Sequence, residues 1–317
     1  MVGFSCWARG YLLLDICGCD SRYDFFTKKK IPSYDCLILI ITGNFYLEFI
    51  VVSMNSLTWK RRIAKCHPIF FKKWSARKVI LIYHAIGESP WAIPTDRFKQ
   101  QIQWLKKNTR IVSLNALLTP SKQKKGIEVA LTFDDGYSCL YDTVLPILKA
   151  EGVVATAYIN TDWMGKAEGL RQLSRPDLGH YPDEAFLTWE EVKKLSENGW
   201  EIGSHGVNHF DLTKQPNEIV RQELLNSKSA IQAVLETECH HFCYTFGKHS
   251  ETLRTAVAES GYQYAAAAHH IPLKNKRNNF ALPRLNIEKN YSLADFKKII
   301  IGKWDFLGMI QHMKKWL

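Results

Sequence analysis

The sequence predicts an α/β domain in which short parallel strands alternate with helices. Continuous apolar runs, Val79–Tyr83, Val129–Phe133 and Val154–Ile159, read as strands buried on both faces. Amphipathic stretches bounded by helix caps separate several of these runs. Polar residues gather at or behind the strand ends: His84, the pair Asp134-Asp135, and the histidines that follow the run Trp200–Gly203. Chemistry collected at strand C-termini suits a barrel or an open doubly wound sheet, and periodicity does not choose between them.

Taken in order, residues 1–53 do not share this pattern. They hold four of the eight cysteines (Cys6, Cys17, Cys19, Cys36), and their five Lys+Arg cancel five Asp+Glu. The net charge of +11 therefore falls on residues 54–317, as 37 against 26. Cys36–Ser53 is apolar but contains Asn44 and Glu48, a poor membrane span because a central carboxylate costs about 2.5–3.5 kcal/mol. No basic start, apolar middle and small-residue cleavage site marks a signal peptide. Met54 is expected to be the natural start, with an N-terminal membrane anchor as the rival reading. Residues 54–77 form a basic, aromatic lead-in (Trp59, Lys60, Arg61, Arg62, Lys65, Phe70, Phe71, Lys72, Lys73, Trp74). This segment reads as a solvated helix, or as one resting on an anionic membrane surface.

The domain proper is expected over 78–317. Thr95–Asn108 predicts a helix with Phe98, Ile102 and Leu105 on one stripe. Thr188 and Glu191 form a capping box for a helix that stops at Gly199. Asn217–Glu236 predicts a long helix with Ile219, Leu224, Ile231 and Leu235 among polar residues. Ser250 caps another that runs to Ser260 and ends at Gly261. The connection from Met164 to Asp183, with Arg171, Arg175, His180 and Tyr181, is long for a strand-to-helix link and is expected to roof the site.

The most informative stretch is Ala130-Leu131-Thr132-Phe133-Asp134-Asp135-Gly136. Two adjacent carboxylates at a strand end repel each other unless a cation sits beside them. Alone, the pair also fits a solvated turn. Gly203-Ser204-His205-Gly206-Val207-Asn208-His209 supplies the partner. Its two histidines stand four apart, a spacing that puts both imidazoles on one face of a helical turn. Two His and one Asp leave open positions on a divalent ion, as a catalytic site requires.

Thr132-Phe133-Asp134-Asp135-Gly136 followed by Ser204-His205-x-x-x-His209 resembles the polysaccharide deacetylases, the NodB-homology group or carbohydrate esterase family 4. The resemblance runs from about Lys78 to Ile287. It includes Leu145-Pro146-Ile147-Leu148-Lys149, Ala155-Thr156-Ala157-Tyr158, Leu187-Thr188-Trp189-Glu190-Glu191 and Phe242-Cys243-Tyr244-Thr245-Phe246-Gly247. It implies a distorted (β/α) barrel of about seven strands and hydrolytic removal of acetyl groups from N-acetylated sugars. It implies Asp135, His205 and His209 as metal ligands and Asp134 as the general base. The ion would be Zn2+ foremost, although Co2+, Ni2+ or Fe2+ suits the same donors. A backbone N–H near Gly136 or Tyr137 is expected to meet the developing oxyanion.

The sequence departs from this family at two places. The acid histidine of a C-terminal Leu-x-x-His motif is missing: His269 and His270 follow an alanine run, and His312 lies in an expected terminal helix. Val79–His84 instead resembles a permuted branch in which an N-terminal strand carries the acid, so His84 is assigned that role; a core histidine capping a strand is the alternative. The third motif, Tyr244-Thr245-Phe246-Gly247, lacks the usual proline and a nearby preceding arginine. Tyr244 and Phe246 remain to stack on a sugar ring. Arg284, in Leu282-Pro283-Arg284-Leu285, either pairs with Asp134 and keeps that base ionised or is a surface residue.

The cysteines of the body (Cys66, Cys139, Cys239, Cys243) show no Cys-x-x-Cys spacing and fit a reducing compartment. The expected location is cytoplasmic or peripheral to the inner face of the membrane, with N-terminal anchoring as the alternative. The basic charge suits an anionic or lipid-linked glycan. Nucleic acid is not expected, since no binding motif accompanies the charge. An N-deacetylase acting on N-acetylhexosamine is the leading expectation. An O-acetyl esterase or a non-catalytic glycan-binding module on the same fold are the alternatives.

Overall fold

The computed structural model describes residues 6–7, 11–12, 36–43, 46–53, 57–66, 76–119, 125–166 and 170–313. The chain divides into two units, Met1–Leu57 and Thr58–Leu317. In the first, β1 (Cys6–Trp7) pairs antiparallel with β2 (Tyr11–Leu12), and β3 (Cys36–Gly43) pairs antiparallel with β4 (Tyr46–Ser53). The apolar stretch weighed as a weak membrane span is thus a pair of strands, with Ile41 opposite Glu48. Among the described residues no helix is long and apolar enough to cross a membrane.

The second unit opens with α1 (Leu57–Cys66). Trp59 of this helix meets Phe306 edge-on at 5.9 Å, and Arg61 grips Asp295 at 2.6 Å. The rest of the lead-in's aromatic and basic cluster, Phe70 to Trp74, lies outside the described residues, as does Met54. Then follow β5 (Arg77–Tyr83), α2 (Thr95–Asn108), β6 (Arg110–Ile111), α3 (Leu114–Leu118), β7 (Ile127–Phe133), α4 (Leu145–Ala150) and β8 (Thr156–Ile159). The chain continues through α5 (Trp189–Glu197), β9 (Glu201–Ser204), α6 (Asn217–Leu235), β10 (His241–Cys243), α7 (Glu251–Glu259), β11 (Tyr264–Ala266), β12 (Leu285–Asn286), α8 (Leu293–Ile300) and α9 (Phe306–Met313).

All strand pairings in this unit's sheet are parallel, in the order β11-β10-β9-β8-β7-β5-β12, with β6 on β7. Strands buried on both faces explain the unbroken apolar runs. The segment before β12 also returns to β11. Leu282 N–H donates to Ala265 O at 2.8 Å, and Ala267 N–H donates to Leu282 O at 2.9 Å. The sheet therefore curves back on itself as a distorted (β/α) barrel. This resolves the choice that periodicity left open.

The helices follow their local signals. In α2, Phe98, Ile102 and Leu105 are buried, together with Gln101, whose Oε1 accepts from Tyr83 Oη–H at 2.9 Å. Thr188 and Glu191 form the reciprocal capping box of α5, and Ser250 caps α7. In α6 the buried stripe is Val220, Glu223, Leu224, Ser227 and Ile231. A buried glutamate on an otherwise core-facing stripe has a purpose outside the helix.

Candidate active site

The site grows out of strand register. Tyr83 lies opposite Phe133, and Asp134 N–H donates to Tyr83 O at 2.9 Å, so the β5–β7 pairing runs one residue past the strands. His84 and Asp134 therefore leave neighbouring strands side by side. The field of His84 reaches both Asp134 and Asp135. The chain then turns sharply through two left-handed residues, Asp135 (φ 72°) and Gly136 (φ 80°). At Gly136 a Cβ would meet Ile159 and Met164 side-chain carbons at 3.0 Å, so only glycine fits there.

The two carboxylates of the pair have different partners. Asp134 faces Arg284 through two parallel hydrogen bonds, Nη1 to Oδ1 at 2.6 Å and Nη2 to Oδ2 at 2.8 Å. Both side chains are buried. Arg284 also donates to Thr132 Oγ1 and to the Ala267 carbonyl, each at 3.0 Å, which fixes the plane of the guanidinium. Burial pushes the Asp134 carboxyl up, but the facing guanidinium more than offsets this and holds it below the ordinary carboxylate value. Asp134 is thus a buried carboxylate kept ionised. Of the two expectations for Arg284, pairing is the one observed.

Asp135 instead meets the histidines: its Oδ1 lies 3.4 Å from His205 Nε2 and 3.3 Å from His209 Nε2. His205 Nδ1 lies 2.8 Å from the Cys243 carbonyl, which can only accept, so Nδ1 carries a proton and Nε2 is the nitrogen turned toward Asp135. Burial raises the Asp135 carboxyl, and the two histidines bring it well below its ordinary value. Ions bound about 2.0–2.1 Å from tetrahedral N and O donors have ligand edges of roughly 3.3–3.4 Å. Both Asp135–histidine distances match that spacing, and the three donor atoms lie within 4.8 Å of one another, so a divalent cation fits them. Asp134, His205 and Cys243 also bring donor atoms together. That set is the poorer one. Arg284 already occupies Asp134, His205 turns its protonated nitrogen to a carbonyl, and burial pushes the Cys243 thiol well up.

The histidines do not sit on a helical turn, contrary to the expectation from their spacing. They lie on a loop after β9, with left-handed backbone at Gly206 (φ 88°) and His209 (φ 61°). The physical reason is Glu223. Its carboxylate accepts from Val207 N–H at 2.7 Å, Asn208 N–H at 3.1 Å and Asn208 Nδ2–H at 2.8 Å. Two backbone donors that a helix would point at its own carbonyls are taken by a side chain of α6. Sequence reasoning missed Glu223. Its only signal was an acidic residue between Val220 and Leu224 on the buried stripe.

The substrate-contact expectations divide. Phe246 is 48% exposed, takes left-handed backbone (φ 56°), and packs against His209 with centroids 4.9 Å apart. Tyr244 is 1% exposed, donates its Oη–H to Phe280 O at 2.9 Å, and meets Phe242 edge-on. Tyr244 is a core residue rather than a sugar platform, because its ring points into the barrel wall. Tyr137 is buried beside Asp135, and its Oη accepts from Tyr181 N–H at 2.8 Å. In the long connection, Arg171 pairs with Asp142 and Glu191, and Arg175 pairs with Asp177. His180 is buried against His209 at 4.8 Å, and burial, with the neighbouring His209, lowers it to about 4.

Metal-type donors, a paired carboxylate and an adjacent histidine gather at the C-terminal ends of barrel strands, an arrangement chemically able to support metal-assisted hydrolysis. Residues 121–265 match the family model described as polysaccharide deacetylase. The Bacillus subtilis protein YxkH, classed by name with the polysaccharide deacetylases, is 26% identical over 226 residues, 70% of this chain and 75% of YxkH. The poly-beta-1,6-N-acetyl-D-glucosamine N-deacetylase of Staphylococcus epidermidis is 21% identical over 227 residues, 68% of this chain and 73% of that protein. In fold, the Streptococcus pyogenes deacetylase PplD superposes with a TM-score of 0.60 at 23% identity, over 72% of this chain and 99% of PplD. The chain is therefore similar to polysaccharide deacetylases over its central 145 residues in sequence, 121–265, and to a deacetylase in fold.

Proposed function

We propose that this protein is a metal-dependent N-deacetylase that removes acetyl groups from N-acetylhexosamine residues of a polysaccharide or its precursor. One observation carries the reading: a buried, Arg284-paired Asp134 stands next to the Asp135–His205–His209 donors, with His84 leaving the adjacent strand at the same level. The names of the staphylococcal relatives support an N-acetylglucosamine polymer as the substrate class.

Asp135, His205 and His209 would hold the ion, Zn2+ being the best match to two imidazoles and a carboxylate. Such an ion, when bound, supplies Lewis acidity, lowering the pKa of water and polarising a carbonyl. Asp134 takes a proton from the attacking water; its charge, fixed by Arg284, makes it available in the ionised form. His84 gives a proton to the nitrogen that leaves as the tetrahedral intermediate collapses. An amine is a poor leaving group without that proton, so the presence of His84 favours amide over ester substrates. Gly136 and Tyr137 begin the loop whose backbone would face the oxyanion. Exposed Phe246 offers a ring face to the sugar. The reducing-compartment reading and contact of α1 with an anionic membrane belong to this proposal as well.

The test is acetate release from N-acetylglucosamine oligomers and from O-acetylated xylan, with chelator and with metal add-back. Chelator-sensitive release from the oligomers, abolished in Asp134→Asn with bound metal unchanged, is expected. Release from xylan alone would transfer the protein to the esterases, and no release from either would return it to glycan binding.

A further inference from the structure

A ladder of nearly parallel aromatic rings runs outward from the Asp135 side of the site. Phe186 stacks on Tyr137 at 5.3 Å and 15°, Tyr137 on Tyr181 at 5.9 Å and 5°, and Tyr181 on Trp91 at 6.2 Å and 19°. Phe186 and Tyr137 are buried, Tyr181 is half-buried, and the last ring, Trp91, is 48% exposed. Tyr181 also packs against His84, with centroids 5.4 Å apart. Trp91 and Tyr181 wall a cavity of about 260 Å³ that includes His84 on one side and Asn286, Glu288 and Asn290 on another.

The loop that presents Trp91 is tied from both sides. Ser89 Oγ–H donates to Glu184 at 2.5 Å, and Lys289 Nζ donates to Pro90 O at 2.6 Å. Within the loop, Ile93 N–H donates to Ala85 O, and Gly87 N–H donates to Ile93 O, each at 3.0 Å. A half-exposed indole held this firmly loses little freedom when a ligand covers it. Large exposed aromatics beside a catalytic group are otherwise costly to leave in water.

We propose that this cavity is the subsite for the pyranose ring next along the glycan from the one being deacetylated, with Trp91 as its stacking platform. The inference rests on the reading of His84 as the proton donor. The cavity is lined by His84 but by none of Asp134, Asp135, His205 and His209, so it flanks the reaction centre and would receive the ring beside the one being deacetylated. The cavity has room for one ring; sites for larger organic ligands span about 300–1,000 Å³. The polar wall is mixed: the amides of Asn286 and Asn290, the Glu288 carboxylate, His84, and Lys289, whose ammonium also donates to Pro90 O. That chemistry hydrogen-bonds sugar hydroxyls, so the ligand class is a hexopyranose. Trp91 lies outside every motif that carries the family resemblance.

The experiment compares Trp91→Ala and Trp91→Phe with the parent on mono-, di-, tri- and tetrasaccharides of N-acetylglucosamine, reading kcat and KM for acetate release. The expected result is a KM for the longer substrates raised about tenfold in Trp91→Ala and largely restored in Trp91→Phe. The ratio of kcat/KM for tetramer over monomer should fall by a similar factor. A loss equal for monomer and tetramer, or a loss seen in kcat alone, overturns the subsite. A Trp91→Ala protein with the parent's length dependence overturns it too. If the parent itself releases no acetate from any glycan, it is the deacetylase reading that fails.

Discussion

Arg284 and Asp134 are 150 residues apart in the chain and meet through two hydrogen bonds of 2.6 and 2.8 Å inside the barrel. The arginine stands on the short segment that closes the sheet between β11 and β12, so closure of the fold and ionisation of Asp134 depend on the same few residues. The two neighbouring anions of the Asp-Asp pair are thereby separated in role: one is matched by a guanidinium, the other by metal-type donors.

Removing one partner of a buried pair leaves an uncompensated charge, at a cost of about 3–5 kcal/mol. Arg284→Met is expected to lose stability of that order in urea unfolding and to lose activity. Asp134→Asn combined with Arg284→Met should regain much of the stability, since neither charge is left alone. Two independent, additive losses would show that the pair is not coupled.

Glu223 shapes the loop between the two histidines without touching the ion site. Supporting groups of this kind typically change metal affinity about 10–100-fold. Glu223→Ala is expected to weaken metal binding within that range, measured by competition with a chromophoric chelator. Glu223→Gln should weaken it less, since an amide oxygen still accepts from the backbone. An Ala variant with unchanged affinity would remove Glu223 from the design of the site.

Proton donation to a leaving group contributes about 10²–10⁴-fold. His84→Ala should therefore lose activity on an N-acetyl sugar by that order. Its activity on 4-nitrophenyl acetate, whose leaving group needs no proton, should fall far less. Equal losses on both substrates would show that His84 is not the acid.

Asp295 gives a pH dependence. It is buried at the start of α8, where it accepts from Ser292 N–H at 3.0 Å and from the Arg61 guanidinium. Burial raises its carboxyl, and Arg61 and Ser292 bring it to a net value below the ordinary one. A carboxyl depressed in the folded state stabilises fully above its unfolded pKa of about 3.9, and that contribution disappears as the pH falls through the lower folded value. Below about pH 4 the melting temperature of the parent should fall more steeply than that of Asp295→Asn. At neutral pH the variant should be less stable by about 1 kcal/mol, mostly from the lost cap, since Arg61 is partly exposed. Parallel melting curves across the acid range would contradict the assignment.

The sequence by itself determined the alternation of buried strands and capped helices, the metal-type donors and the position of His84 directly behind a strand. Each of these is written locally: unbroken apolar runs for parallel strands, Thr188 and Ser250 for helix starts, and chemistry directly behind a strand's last residue. Only the tertiary structure decided that the sheet closes, that Arg284 reaches Asp134, that Glu223 replaces a helical turn between His205 and His209, and that Tyr244 turns inward while Trp91 turns outward. These features depend on strand register and barrel closure, which bring together residues far apart in the chain. A backbone N–H at Val207 or a guanidinium at Arg284 carries no local mark of the distant group that will satisfy it. That is settled when the low-dielectric interior forms and every buried polar group must find a partner.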